Sequence, residues 1–160
     1  DWAWDSETSA NLARTEIAIA NATVDESESS HWYGQAALTV EDGLLKAPSN
    51  PYSWARLTNL RLREGEDGLG VSEPLILSLL TGPYEKNLVF PRIKYALRIW
   101  DRLSEDQKMA VQDQIVIANR FSTTRLVKIA RSHQKNMKII VSAMAGDLIR
   151  FQGFIKALNK

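Results

Sequence analysis

Histidines and carboxylates are the residues of this chain whose types could support acid–base or metal chemistry, but they form no catalytic pattern. The only two histidines, His31 and His133, lie far apart in the sequence, so a paired role in proton transfer is not expected. Because the chain has no cysteine, it can form neither a disulfide nor a thiolate metal site. The sequence therefore predicts no catalytic residue, no bound metal and no cofactor.

Two further segments resemble ligand loops only in composition. The glycine-rich run GEDGLG, residues 65–70, lacks the lysine and the preceding strand of a phosphate-binding loop. It also lacks most of the oxygen ligands of a calcium loop. The acidic run DESESS, residues 25–30, is typical of a solvated loop. We interpret both segments as connections between helices.

Charge is distributed unevenly along the chain. Residues 1–50 contain nine acidic and two basic residues, whereas residues 120–160 contain nine basic residues and one acidic residue. Such a gradient creates a field that steers charged partners. The alternative is that the two ends attract each other or remain solvated.

The spacing of apolar residues predicts an all-α protein, with helices from end to end. The chain has 160 residues, of which 44% are hydrophobic, which is enough for a single domain with its own core. Apolar residues recur at intervals of three and four almost throughout. The first helix is expected over residues 6–20, with Leu12, Ile17 and Ala20 facing inward. A loop is expected at 23–30, followed by a helix over 30–46 that ends before Pro48.

The segment NPYSWARLTNLRLREG, residues 50–65, carries the clearest helix start. Asn50 is a good N-cap residue, and Pro51 suits the first helical position because its missing amide would have had no partner there. Trp54 and Leu57 then fall on one face, which predicts that this face packs against a neighbouring helix.

Together with GLLKAP at residues 43–48, this segment resembles the tetratricopeptide repeat, in which a proline closes one repeat before the first helix of the next. Thr58 stands at the position of the family's small residue. The resemblance covers residues 32–103 and implies antiparallel helix pairs that form a concave surface for a protein or peptide partner. The exposed contacts expected on that surface lie off the Trp54 stripe and are Tyr52, Arg56, Asn59 and Arg63.

Further helices are expected over residues 72–80 and 87–103, the second of these with Pro91 in its first turn. The motif SEDQ at 104–107 predicts a capping box that opens a helix running to about Ala118. Residues 104–160 then form C-terminal helices beyond the repeat-like core.

From Leu126 to Leu158 the apolar residues, with His133 among them, follow a heptad-like spacing, which predicts one long amphipathic helix or a pair of helices in phase. This seam has three interpretations. It covers the open end of the helical stack, it pairs with a partner or a second copy, or it accompanies a basic face that contacts a membrane or nucleic acid. The basic face consists of Arg125, Lys128, Arg131, Lys135 and Lys138.

We therefore expect a non-catalytic interaction or scaffold module. The alternative is a protein that binds nucleic acid or an anionic membrane electrostatically, and of these two ligands nucleic acid is the less expected because few aromatic residues accompany the basic face. The chain begins at Asp1 rather than at methionine. If a signal or membrane anchor precedes Asp1, Trp2 and Trp4 would suit a membrane interface. The helical arrangement also resembles that of membrane-anchored periplasmic helical-repeat proteins of export or assembly systems. This resemblance implies a periplasmic or membrane-associated setting, with a cytoplasmic one as the alternative.

Overall fold

The computed structural model describes residues 2–146 and 148–159, without the side chains of residues 2–6 and 148–150. These described residues form α-helices and one 3-10 helix, and none of them lies in a strand. The prediction of an all-α fold is confirmed. The α-helices are α1 (Trp2–Ala22), α2 (Glu26–Lys46), α3 (Pro51–Arg63), α4 (Leu69–Thr81), α5 (Lys86–Arg98), α6 (Glu105–Arg131), α7 (Gln134–Met144) and α8 (Leu148–Leu158), and the 3-10 helix is Trp100–Arg102.

The chain divides into two compact units. The first unit, Asp1–Gly82, contains α1 to α4, and the second, Pro83–Lys160, contains α5 to α8. Within the first unit each helix packs against the next one, and within the second unit α6 packs against α5, α7 and α8. The tetratricopeptide-like arrangement and the single domain stay predictions.

Helices α1 and α2 approach each other closely because small residues line their contact. Ala13 and Ala36 are fully buried there, and a Cβ atom built on Gly43 would lie 3.0 Å from the Cβ of Ser9. A larger side chain at Ser9 or at Gly43 would push the two helices apart. The sequence of small residues thus sets the distance between the helices.

The inward face of α1 differs from the predicted one. Leu12 is 51% exposed, whereas Ser9, Ala13, Glu16 and Ala20 are buried. The prediction that Leu12 faces inward is wrong. It was based on hydrophobicity alone, whereas α2 lies so close to α1 that only small side chains fit between the two helices. Buried Glu16 accepts a hydrogen bond of 3.1 Å from the Thr39 hydroxyl, a polar contact that hydrophobic spacing does not reveal.

The acidic segment is mostly helical, so the predicted loop over 23–30 is wrong in its second half. Helix α2 begins at Glu26, with Asp25 as its N-cap residue. The Asp25 carboxylate accepts a 2.8 Å hydrogen bond from the amide of Glu28. Carboxylates in the first turn of a helix are stabilised by its dipole, which explains how so polar a segment is helical.

The predicted start of α3 is confirmed, whereas that of α4 is wrong. The Asn50 side chain accepts hydrogen bonds from two amides of the first turn of α3, and Pro51 occupies its first position. Gly65, at φ +83°, provides the turn after α3 at no steric cost. Helix α4 begins at Leu69 rather than Ser72, so Pro74 lies in its second turn. A proline costs least near a helix start, where few intrahelical amide bonds are lost.

In the second unit, the helix predicted over 87–103 ends at Arg98 and is followed by the 3-10 helix. The capping box is confirmed, since Ser104 and Gln107 exchange side-chain and backbone hydrogen bonds. Helix α6 extends to Arg131 rather than Ala118, but Ser122 has non-helical backbone angles (φ −166°, ψ 101°) and divides it. The prediction therefore ended near a real break.

The C-terminal seam falls on three helical pieces, namely the last part of α6, α7 and α8, and not on one continuous helix. Leu126, Ala130, Ile140 and Met144 are fully buried, as expected of a seam that covers a core. His133 is exposed and serves as the N-cap residue of α7, so its predicted place on the apolar seam is wrong. Because His133 caps α7, it lies in the connection between α6 and α7 and not on a helical face. The heptad pattern is therefore interrupted at this residue.

Candidate functional site

Each histidine has a local structural role. His31 is exposed on α2, with its ring edge-on to Trp32 at a centroid distance of 5.9 Å. The Nδ1 atom of His133 accepts a 3.2 Å hydrogen bond from the amide of Lys135. Among the described residues, no three acidic or histidine side chains converge to hold a metal ion.

Of the four polar residues predicted as partner contacts on α3, Tyr52 and Arg63 are exposed, whereas Arg56 and Asn59 are half-buried. Tyr52 is 41% exposed, and its amide donates to Asn50 in the helix cap. Tyr52 and Asn59 are accessible enough to contact a partner, but both are uncharged and together they do not form a groove.

Arg56, the third of these residues, ties α3 to α1. Its guanidinium donates a 3.3 Å hydrogen bond to the carbonyl oxygen of Ala10. Burial lowers the pKa of Arg56 below its ordinary value, and the nearby charge of Arg14 lowers it further. Arg56 therefore has a role in packing the first unit.

Arg63, the fourth residue, is engaged with α2. Its guanidinium donates a 2.6 Å hydrogen bond to the Tyr33 hydroxyl, and its Cζ atom lies 4.7 Å from the centre of the Tyr33 ring. This cation–π contact fixes Arg63 against the first unit. The binding role of the four α3 residues stays a prediction.

An apolar groove of 520 Å³ lies within the first unit. It is lined by Trp54 and Leu57 of α3 and by none of the four predicted contact residues. The indole nitrogen of Trp54 donates a 2.7 Å hydrogen bond to the carbonyl oxygen of Pro48 and so is held at the wall of the groove. Arg61, hydrogen-bonded to Glu41 and Glu66, also lines the groove. The apolar lining residues are Leu44, Leu45, Pro48, Trp54, Leu57, Pro74 and Leu77.

A second groove, of 780 Å³, lies in the second unit and combines positive charge with an apolar floor. We call it the basic groove. Five cationic side chains from three helices line it, and no carboxylate is among its described lining residues. The floor is formed by Phe90, Leu97 and Ile129, and the remaining lining residues are Lys94, Arg98, Arg125, Lys128, Ser132, His133, Lys135 and Asn136.

Helical spacing brings the cations to the groove. Lys94 and Arg98 are one turn apart on α5, so both lie on the face that begins with Phe90. The break at Ser122 restarts α6, and the Ser122 hydroxyl oxygen accepts a 3.3 Å hydrogen bond from the amide of Arg125. The restarted helix then presents Arg125 and Lys128 on the opposite wall.

A buried polar contact fixes the two walls relative to each other. Arg92 on α5 is 1% exposed and donates a 3.2 Å hydrogen bond to the side-chain oxygen of Gln114 on α6. The amide nitrogen of Gln114 donates in turn to the carbonyl oxygen of Pro83 at 3.0 Å. Because buried polar groups must keep their partners, this contact permits little sliding of α5 along α6.

Of the predicted basic face, the structure brings three members to the basic groove and leaves two outside it. Arg125, Lys128 and Lys135 line the groove. Arg131 instead donates a 2.6 Å hydrogen bond to the carbonyl oxygen of Leu158, and Lys138 lines a neighbouring depression beside Trp100. Lys94 and Arg98 were not predicted, because their only signal in the sequence was their one-turn spacing beside Phe90.

Lys135 has a partner at the edge of the basic groove. Its ammonium group forms an ion pair with the carboxylate of Asp101 in the 3-10 helix. The hydrogen bond from Lys135 lowers the pKa of Asp101 below its ordinary value. An anionic ligand in the groove would compete with Asp101 for this lysine.

Comparison with protein-family models, with curated proteins and with solved structures finds no match to this chain. Among its described helices, none is both long and apolar enough to cross a membrane.

Proposed function

We propose that this chain is a non-catalytic interaction module that binds an acidic, partly apolar segment of a protein partner in the basic groove. One observation carries the proposal: five cations from three helices line one groove above an apolar floor. The α3 surface is the weaker candidate because Arg56 and Arg63 already make contacts within the first unit.

Folding by itself does not favour such a collection of like charges, because cations that share a groove repel one another. An anionic occupant would relieve this repulsion. Lys94 and Lys128 are exposed on opposite walls, where they can pair with carboxylates on both sides of a bound segment. Charge of this kind speeds association and excludes wrongly charged partners.

The floor of the groove adds a second requirement for the ligand. Phe90, Leu97 and Ile129 lie between the charged walls, so an occupant gains from placing apolar side chains beneath its carboxylates. An amphipathic helix docked in a groove between helices meets both requirements. We therefore favour a protein segment with alternating apolar and acidic residues.

Nucleic acid and membrane fit the basic groove less well. Single-stranded nucleic acid needs rings whose faces are free for bases to stack on, but the guanidinium of Arg125 lies over the Phe90 ring. A bilayer surface favours projecting apolar residues, whereas the apolar residues here form the floor of a groove.

The proposal is tested by fluorescence anisotropy with a labelled helical peptide of leucine and glutamate repeats. The comparison ligands are the same peptide with lysine for glutamate, a single-stranded DNA and vesicles of anionic lipid. We expect the acidic peptide to bind best, with an affinity that falls as salt screens the charges. Tighter binding of the DNA or the vesicles would contradict the proposal.

Matched variants separate the groove from the overall charge. Lys94→Glu/Lys128→Glu should weaken binding about tenfold or more, because truncated or reversed charges at an interface lose both steering and pairing. Lys86→Glu/Lys156→Glu changes two exposed lysines outside the groove by the same charge and should alter binding much less. Equal losses in both variants would mean that net charge, and not the basic groove, binds the peptide.

A further inference from the structure

Building on the proposed function, we infer that the acidic segment bound by the basic groove belongs to a second copy of this chain. The segment is the tip between α1 and α2, residues 23–28, which we call the acidic tip. Copies would then associate head to tail, with the acidic tip of one in the basic groove of the next.

The first support is the division of charge between the two units. Residues 1–82 carry 13 acidic and 5 basic residues, a net charge of −8. Residues 83–160 carry 6 acidic and 15 basic residues, a net charge of +9. Every copy therefore brings both members of a complementary pair, and oppositely charged surfaces accelerate their encounter.

The second support is Val24, at the end of the acidic tip. Its relative exposure is 101%, and Asp25, Glu26 and Glu28 beside it are exposed as well. Capping of α2 and the helix dipole account for the carboxylates, but neither accounts for an apolar side chain held fully in water. An exposed apolar residue followed by carboxylates matches the apolar floor and the cations of the basic groove.

The acidic tip is also held in place before any partner binds. The Thr23 hydroxyl donates a 2.9 Å hydrogen bond to the carbonyl oxygen of Ile19, and the Ser29 hydroxyl donates at 2.8 Å to that of Ala20. Binding a preorganised segment costs less conformational entropy than ordering a flexible one. In the proposed contact, Val24 lies on the apolar floor while Glu26 and Glu28 pair with Lys94 and Lys128.

A contact between the tip of one copy and the groove of another leaves one acidic tip and one groove of the dimer unused. Such heterologous contacts continue into longer chains or close into rings. We therefore expect species larger than dimers at high protein concentration, and we expect high salt to dissociate them.

The test is sedimentation velocity of the full chain from micromolar to submillimolar concentration, at low and high salt. The weight-average mass should rise above the 18.0 kDa of one chain at low salt and return to it at high salt. If the chain stays at 18.0 kDa under all these conditions, the inference is overturned. If that monomer still binds the acidic peptide, the proposed function stands. If it neither associates nor binds the peptide, both the inference and the proposed function are overturned.

Complementation assigns the two surfaces. A tip variant, Val24→Ser/Glu26→Gln/Glu28→Gln, and a groove variant, Lys94→Gln/Lys128→Gln, should each stay monomeric. Their mixture should form a one-to-one dimer and nothing larger, because only one intact tip and one intact groove remain per pair. Self-association of the tip variant alone would overturn the assignment of the tip.

A control variant with the same changes elsewhere in the first unit is Leu38→Ser/Glu7→Gln/Glu73→Gln, at three exposed positions. It should associate as the parent chain does. Loss of association in this control would overturn the assignment to the acidic tip, since general acidity would then suffice. Circular dichroism melting of every variant checks that each of them is folded.

Discussion

The guanidinium carbon of Arg125 lies 4.0 Å from the centre of the Phe90 ring. This contact joins the restarted part of α6 to α5 across the floor of the basic groove, and it also fixes one of the five cations there. We expect Arg125→Gln to lower stability by about 0.5–1 kcal/mol, the usual range for a partly exposed cation–π contact. It should also weaken binding of the acidic peptide.

Arg125→Lys separates the two effects, because it keeps the charge but loses the planar group that stacks on the ring. Binding should be largely retained and part of the stability lost. Thermal unfolding and anisotropy measured on the same samples check both expectations. Equal behaviour of the two variants in the binding assay would show that charge at this position has no part in binding.

Asp101 offers a second prediction, since its carboxylate pairs with Lys135 at the edge of the basic groove. Asp101→Asn removes an internal competitor, so the acidic peptide should bind about two- to fivefold more tightly, as expected for one exposed ion pair. Asp113→Asn, at an exposed position of α6 outside the groove, changes the charge equally and serves as control. Equal gains in affinity by both variants would show that Asp101 does not compete with the peptide for Lys135.

Arg56 should prove structural. Because its side chain is half-buried and donates to Ala10, Arg56→Ala should cost about 1–2 kcal/mol of stability, through a lost hydrogen bond and lost packing. Asn59→Ala, nearby on α3, should cost less than about 0.5 kcal/mol. Chemical denaturation measures both values. A stable Arg56→Ala variant that no longer captures a partner would instead return the binding surface to α3.

The close approach of α1 and α2 predicts opposite effects of alanine at two glycines. Gly43→Ala places a methyl group 3.0 Å from the Cβ of Ser9 and should cost about 1–3 kcal/mol by overpacking. Gly153→Ala, in helix α8 with no atom within 4 Å of the added carbon, should stabilise by up to about 1 kcal/mol. The difference between the two in urea unfolding isolates packing from helix propensity, and equal stabilisation by both would contradict the packing of α1 on α2.

Local signals in the sequence predicted much of the fold. Asn50 followed by Pro51, and the capping box opened by Ser104, marked helix starts correctly because caps act within one turn. Leu12 was misplaced because hydrophobicity alone does not reveal how closely a neighbouring helix packs. The capping role of His133 was missed, since a histidine within an apolar repeat looks like part of that repeat.

The candidate site was predicted only in part, for a physical reason. Arg125, Lys128 and Lys135 are close in sequence, and their charge was evident. Lys94 and Arg98 join them only through the packing of α5 on α6, which depends on buried contacts such as that between Arg92 and Gln114. The spacing of residues within one helix does not show which distant helix it packs against.

The most direct test of the central claim is to locate the acidic peptide on the full chain by nuclear magnetic resonance. Amide signals are followed while the peptide is added to isotope-labelled protein at low salt. We expect the largest shifts in residues 90–98 and 125–136, and we expect these shifts to be lost in Lys94→Glu/Lys128→Glu. Shifts concentrated in α3, around Tyr52 and Asn59, or spread evenly over the surface, would contradict it.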